Sequence, residues 1–368
     1  MHDAILAQPD CIDRMLGSQR LAIKAAGRAV RAKKRILFAG IGTSYNAARL
    51  GAFFLRHFTG GRALVAVEQS FELLHYPLAL GPDDAVVLSS HRGWKNFSVE
   101  ALKRAKAAGA LTIAITGELG GEGMGLADYR ITTCEQEDSF AHTKSFSTAL
   151  AALAHLTVSM AQYSKHFPLA GDPGAFVEIE NISSRLFDSL ACEEACAAAA
   201  KELAARDRLL FVGAGPQWTL ASEASLKVKE TSYLHTEGLE TEEFLHGPFS
   251  EMDARASLVA LLVDDSATAQ PSPAYARLVQ ALRAVGELGV HRVAIVSRKK
   301  SPAPAAPPDI PAERVIELPG VPEWLSAFTH LIPIQFLSYY LALARGTNPD
   351  TGRQHEPAHA RAQSLFKL

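Results

Sequence analysis

One stretch of the chain carries charged residues that could move a proton. In Glu223-Ala-Ser-Leu-Lys227-Val-Lys229-Glu230, positions 223, 227 and 230 stand at i, i+4 and i+7. A helix would set them on one face. Such a row is either a surface salt-bridge ladder or a built site. In the second case a partly buried Glu230 would take up and return a proton beside Lys227. Lys229 faces solvent in either case. His246 opens a His-Gly-Pro-Phe turn directly after the acidic stretch Glu240 to Glu243. A lone histidine is usually structural, but one ahead of a rigid turn can be presented to a pocket.

Two other stretches are suited to anions. Gly40-Ile-Gly42-Thr43-Ser44-Tyr45 follows an apolar run and precedes a helical pattern. Its glycines permit a tight turn, and the free N–H groups of the next helix, with the hydroxyls of Thr43 and Ser44, would hold a phosphate or sugar. A dinucleotide fingerprint is the rival reading, with Glu68 as its ribose acid. Its third glycine is missing, because Tyr45 stands there, and Trp218 stands there in a second copy. The second stretch is Ser89-Ser90-His91-Arg92-Gly93-Trp94-Lys95-Asn96. It joins two hydroxyls, a glycine and three potential cations at a turn, which suits a phosphate or carboxylate. A solvated basic turn is the alternative, and Trp94 would then be out of place.

Other patterns carry less. His355-Glu-Pro-Ala-His359 matches HExxH, but Pro357 breaks the continuous helix that a zinc site of this type needs. Cys11, Cys134, Cys192 and Cys196 form no CxxC pair. They read as small packing residues of a reducing compartment. No metal is expected.

The elements that must position these groups come in two copies. Arg35-Ile-Leu-Phe-Ala-Gly-Ile-Gly42 is echoed by Arg208-Leu-Leu-Phe-Val-Gly-Ala-Gly215. Further on, Asp84–Ser90 pairs with Ser257–Val263, Gly109–Ile115 with Gly289–Ile295, and Tyr129–Thr133 with Arg314–Leu318. Short β-rich runs alternate with amphipathic helices such as Val99–Ala108 and Ala274–Leu288. The pattern predicts an α/β protein of two tandem doubly wound modules, each a mainly parallel sheet flanked by helices. The expected divisions are a helical lead-in (1–33), a first domain (34–165), a second domain (175–345) and a tail closing the site (346–368). His166–Gly174 reads as the linker and Ser301–Pro311 as a surface loop.

The 368 residues suffice for two domains. A net charge of −2 with no long run of one sign argues against nucleic acid, which demands a concentrated basic face. The N-terminus has no apolar segment of the signal type. The best apolar run, Leu153 to Met160, is broken by His155 and Ser159, so no membrane span of about 20 residues is expected. A cytoplasmic protein is expected.

From about residue 33 onward the chain resembles the sugar isomerase (SIS) superfamily. The marks are Gly42-Thr43-Ser44-Tyr45-Asn46, Thr143-Lys144-Ser145-Phe146, Glu223-x3-Lys227-x2-Glu230 and His246-Gly-Pro. It is most similar to the isomerase half of glucosamine-6-phosphate synthase and to fructosamine-phosphate deglycases. The resemblance implies that Gly42, Thr43, Ser44, Ser89 and Ser90 hold a sugar phosphate, with His91, Arg92 and Lys95 completing the loop. Glu230 would be the base between C1 and C2, and His246 would assist ring opening in a partner subunit of a homodimer. Lys227 and Glu223 would position the sugar. His142, Thr143 and Lys144 stand where the family has a serine-threonine-lysine block, and Gln363 stands near the synthase's C-terminal lysine. The family's phosphate loop reads Ser-x-Ser-Gly-x-Thr, so cations here replace hydroxyls.

The start of that loop, and the tail Asn348-Pro-Asp350-x2-Arg353, look more like the deglycases. No cysteine nucleophile follows the initiator methionine, where His2 stands, so no amidotransferase activity is expected. The expected activity is aldose–ketose isomerisation, deamination or deglycation of a sugar phosphate, with no cofactor. The alternative is a non-catalytic sugar-phosphate sensor.

Overall fold

The computed structural model describes residues 1–76, 78–170, 174–266, 271–298 and 310–366. Residues 171–173 of the expected linker and 301–309 of the expected loop lie outside the described residues. The chain forms two compact units. One comprises Ala7–Asp138, His142–Ser183 and Arg353–Leu368; the other comprises Met1–Leu6, Ser139–Ala141 and Ser184–Gly352.

The first unit holds a parallel sheet of β1 (Arg35–Gly40), β2 (Leu64–Gln69), β3 (Asp84–Ser89), β4 (Leu111–Thr116) and β5 (Tyr129–Thr132). Their order is β2-β1-β3-β4-β5. β1 and β3 are buried almost throughout, as expected of central strands covered on both faces. That is why they read as continuous apolar runs without alternation. On one face, Leu37, Ala39, Val86 and Leu88 pack with Ala101, Leu102 and Ala105 of the helix Asn96–Ala107. The helix Lys144–Tyr163 is buried along nearly its whole length, which accounts for its apolar run.

The second unit repeats the plan with β6 (Arg208–Gly213), β7 (Thr236–Glu240), β8 (Ala256–Asp264), β9 (His291–Arg298) and β10 (Arg314–Leu318). Their order, read from the β7 edge, is β7-β6-β8-β9-β10, the same as in the first sheet. The two tandem doubly wound modules expected from the repeat are therefore present.

Two features depart from the expectations. β7 was not expected, because Thr-Glu-Gly-Leu-Glu has no apolar alternation. It pairs with β6 as an edge strand. Gly238 lets the helix Pro216–Ser232 lie directly on it, since a Cβ there would sit 2.2 Å from the Ala221 carbonyl oxygen. The second departure corrects the reading that no long apolar span exists. Glu323–Ala344 is long and apolar enough to cross a membrane by length and composition. Within the unit it is largely buried, with 78% of its most apolar window covered, as in the core helix of a folded domain.

Candidate functional site

In each sheet the strand order reverses next to the first strand, between β1 and β3 and between β6 and β8. Ligands of such folds collect there, at the carboxyl ends of the strands. In the first module the turn after β1 is the expected glycine turn. Gly42 has φ +59° and ψ −128°, a region closed to side chains. A Cβ on Gly40 would meet the Ser44 carbonyl oxygen at 2.3 Å. These two glycines allow the chain to fold sharply into the helix Thr43–Phe58. Thr43 and Ser44 thus form its first turn, in which Ser44 N donates to the Ile41 carbonyl at 3.1 Å and Tyr45 N to the Gly42 carbonyl at 2.8 Å.

The second module builds the same turn, with Gly215 at φ +59° and ψ −129°, but fills it differently. Pro216 replaces Thr43 and removes both the amide and the hydroxyl. The Glu323 carboxylate lies 3.3 Å from where a Cβ on Gly215 would be. Burial and nearby Asp265 push its pKa up. A cavity opens here among Ala214, Gln217, Leu261, Tyr275 and Glu323. This lining, with a carboxylate and mostly apolar groups, is unsuited to phosphate.

The loop after β3 closes the first module's site. Ser89 and Ser90 are buried, and the Ser89 hydroxyl has no hydrogen-bond partner among the described residues. His91 anchors the loop through its carbonyl, which accepts from Gly117 N at 2.9 Å. Gly93 adopts φ +69° against the backbone of Gly120. Arg92 follows His91 in the loop, and Lys95 precedes the helix Asn96–Ala107. Trp94 is 68% exposed, so it stands out from the loop rather than lining a buried pocket.

Glu137, which sequence reading passed over, organises the third side. Its carboxylate accepts from Thr143 N at 2.9 Å, Thr143 Oγ1 at 2.7 Å and Ser145 N at 2.7 Å. It therefore occupies the amino end of the helix Lys144–Tyr163. His142 Nδ1 lies 3.8 Å from it and 2.9 Å from Ser145 Oγ. Lys144 turns to Glu135 instead, at 2.6 Å. Burial works to raise the Glu137 pKa, but the His142 imidazole and Ser145 outweigh it and hold the carboxyl at about 2. Its folded value lies below the usual carboxylate value, so it stabilises the fold at neutral pH, and that contribution fades as pH falls from about 4.5 toward 2. The full effect is on the order of 3 kcal/mol. Urea unfolding between pH 5 and 3 should be flatter for Glu137→Gln than for the parent; equal slopes would contradict this.

In the second module the helix Pro216–Ser232 carries the charged row, and the row is no surface ladder. Glu223 and Lys227 are fully buried. Lys227 Nζ lies 3.4 Å from Glu223 Oε1 and donates to Glu230 Oε2 at 2.5 Å. Only Glu230 reaches solvent, its side chain 21% exposed. One ammonium thus holds two carboxylates, one sealed and one open. The helix end is pinned beside Glu230: Thr231 Oγ1 donates to the Lys227 and Ser338 carbonyls, and Thr347 Oγ1 donates to the Thr231 carbonyl. Tyr233 then ends the helix in the left-handed region at φ +58°.

His246, Gln363 and the HExxH histidines are the remaining candidates. His246 follows the short helix Thr241–Leu245 and is well exposed, 3.3 Å from Glu242. Gln363 is half-exposed at the end of the helix Pro357–Gln363. Pro357 opens that helix, so His355 lies before it and the HExxH spacing never sits on one helical face. All four cysteines are free thiols and buried.

Comparison with known proteins bears on the family and the fold. The family model described as "SIS domain" matches residues 30–159 and again 202–345. The glutamine–fructose-6-phosphate aminotransferase [isomerizing] of Pyrococcus horikoshii is 29% identical over 95% of this chain and 55% of its own length. The chain thus spans about half of the curated relatives it matches. Among solved structures, the C-terminal domain of glucosamine-fructose-6-phosphate aminotransferase from Francisella tularensis has a TM-score of 0.80 at 23% identity, covering 94% of this chain and 96% of that one. Glucosamine-6-phosphate deaminase from Thermotoga maritima has a TM-score of 0.69 at 21% identity, covering 95% and 96%. With both modules matched, the chain belongs to the SIS domain family and carries that domain twice.

Proposed function

We propose that the chain is a phosphosugar-processing enzyme that moves a proton between C1 and C2 of a sugar phosphate, as an isomerase, deaminase or deglycase. The observation that carries this is the buried Glu223–Lys227–Glu230 row. Burying a lysine and a glutamate is costly, and a passive scaffold gains nothing from leaving the third member of the row open. Glu230 is the proton-transfer base, and Lys227, with Glu223 behind it, fixes its carboxylate and positions the sugar. In the first module Gly42, Thr43, Ser44, Ser90, Arg92 and Lys95 supply the anion-binding groups. The relatives named above as an aminotransferase acting on fructose 6-phosphate and as a glucosamine-6-phosphate deaminase support this substrate class.

The exposed position of His246 is what a group offered to a second copy of the chain would have, and we propose a homodimer. The sensor reading gains no support from a row of this kind.

A thermal-shift panel tests the assignment, since a ligand that binds only the folded state raises the melting point. Hexose 6-phosphates, amino sugar 6-phosphates and fructosamine 6-phosphates should shift it, and the unphosphorylated sugars should not. Equal shifts from sugars without phosphate would contradict the anion site. Sedimentation of the same samples should give a dimer; a monomer would remove the role given to His246.

A further inference from the structure

Glu230 stands in the last turn of the helix Pro216–Ser232, the part of a helix that frays most easily. The carbonyls of that turn have no amide of their own helix to accept from. The chain leaves the helix at Tyr233, whose φ of +58° is strained for a residue with a side chain. A base placed there keeps its aim only if something outside the helix holds the turn.

The neighbouring helix Leu331–Ala344 supplies the hold through the way it ends. Gly346 takes φ +70°. Gly346 N donates to the Leu343 carbonyl at 3.0 Å, and Thr347 N donates to the Ala342 carbonyl at 2.9 Å. This pair of bonds, with glycine in the left-handed position, closes a helix in one fixed geometry. Thr347 is thereby presented so that its hydroxyl donates to the Thr231 carbonyl at 2.8 Å. Thr231 follows Glu230 directly, and its carbonyl is one of those the helix leaves open. The Thr231 hydroxyl makes a second tie to the same neighbour. It is fully buried and donates to the Ser338 carbonyl at 3.1 Å and to the Lys227 carbonyl at 2.9 Å.

We propose that Thr347 is a positioning residue for Glu230. Its hydroxyl caps the turn that carries Glu230 and so keeps the carboxylate on Lys227 Nζ, 2.5 Å away. This deepens the function proposed above and rests on Glu230 as its base.

The test uses the full chain and three variants. Thr347→Val keeps the shape of the side chain and removes the hydroxyl, and Thr347→Ser keeps the hydroxyl. Gly346→Ala leaves Thr347 intact but strains the turn that presents it, so the test survives if Thr347→Val does not fold. Hydrogen–deuterium exchange of the peptide spanning residues 223–235 reads the clamp. Steady-state conversion of glucosamine 6-phosphate, fructose 6-phosphate and a fructosamine 6-phosphate reads its consequence. Thr347→Val should speed exchange in the last turn by about fivefold, the scale of one ordinary hydrogen bond. It should lower kcat by about 10- to 100-fold, as a misplacement of about 1 Å does. KM should stay within about threefold of the parent. Gly346→Ala should show the same pattern, and Thr347→Ser should behave as the parent. Unchanged exchange in both Thr347→Val and Gly346→Ala would overturn the clamp. Faster exchange with kcat intact, or a loss that Thr347→Ser shares, would overturn the positioning role and leave Glu230 as the base. No conversion of any of the three compounds by the parent would overturn the proposed function and the positioning role with it.

Discussion

Glu230→Gln should lower turnover of the best phosphosugar substrate by roughly 10²- to 10⁴-fold, the usual contribution of a positioned base. Glutamine keeps the shape of the side chain, and its carbonyl can still accept from Lys227 Nζ, now 2.5 Å from Glu230 Oε2. Only the capacity to take a proton is lost. Because Thr231 and Thr347 pin the helix end independently, the fold around the site should persist. KM should therefore stay within a few-fold of the parent, which places the loss in the chemical step. Steady-state kinetics on the purified variant decides the matter: turnover within tenfold of the parent would mean that the base is elsewhere.

The second large effect concerns stability. Lys227→Met should cost about 3–5 kcal/mol, because it takes the ammonium away from the buried Glu223 carboxylate and from Glu230 at once. For a domain of this size that lowers the melting temperature by about 10 °C. The double variant Glu223→Leu/Lys227→Met should recover much of the loss, since replacing a buried ion pair by apolar groups of similar volume is often neutral. Urea unfolding of the three proteins measures both quantities. A loss below about 1 kcal/mol for the single variant would contradict a buried, mutually dependent row.

The parts of the molecule that were legible in the sequence are those whose cause is local. β1 and β6 announce themselves as near-identical apolar runs ending in a glycine turn, and the two turns adopt the same dihedrals. The Glu223–Lys227–Glu230 row was visible as a spacing, but the spacing by itself favoured a surface ladder over a buried site. Burial, a tertiary property, separates them. β7 escaped because an edge strand needs neither apolar residues nor alternation when its partner supplies the pairing. Glu137 escaped for a related reason: one glutamate in Cys-Glu-Gln-Glu-Asp is unremarked until the helix Lys144–Tyr163 brings its amino end to it. Glu323, which fills the second glycine turn, stands more than a hundred residues from Gly215 in sequence.

The central claim is proton transfer at C1 and C2, and exchange with solvent reports it directly. Proton NMR of glucosamine 6-phosphate, fructose 6-phosphate and a fructosamine 6-phosphate should be followed in deuterium oxide with the parent protein and with Glu230→Gln. At least one compound should lose its C1 or C2 proton signal, or convert to product, with the parent and not with the variant. Binding of these compounds without exchange or conversion by the parent would contradict the account and leave a sugar-phosphate sensor in its place.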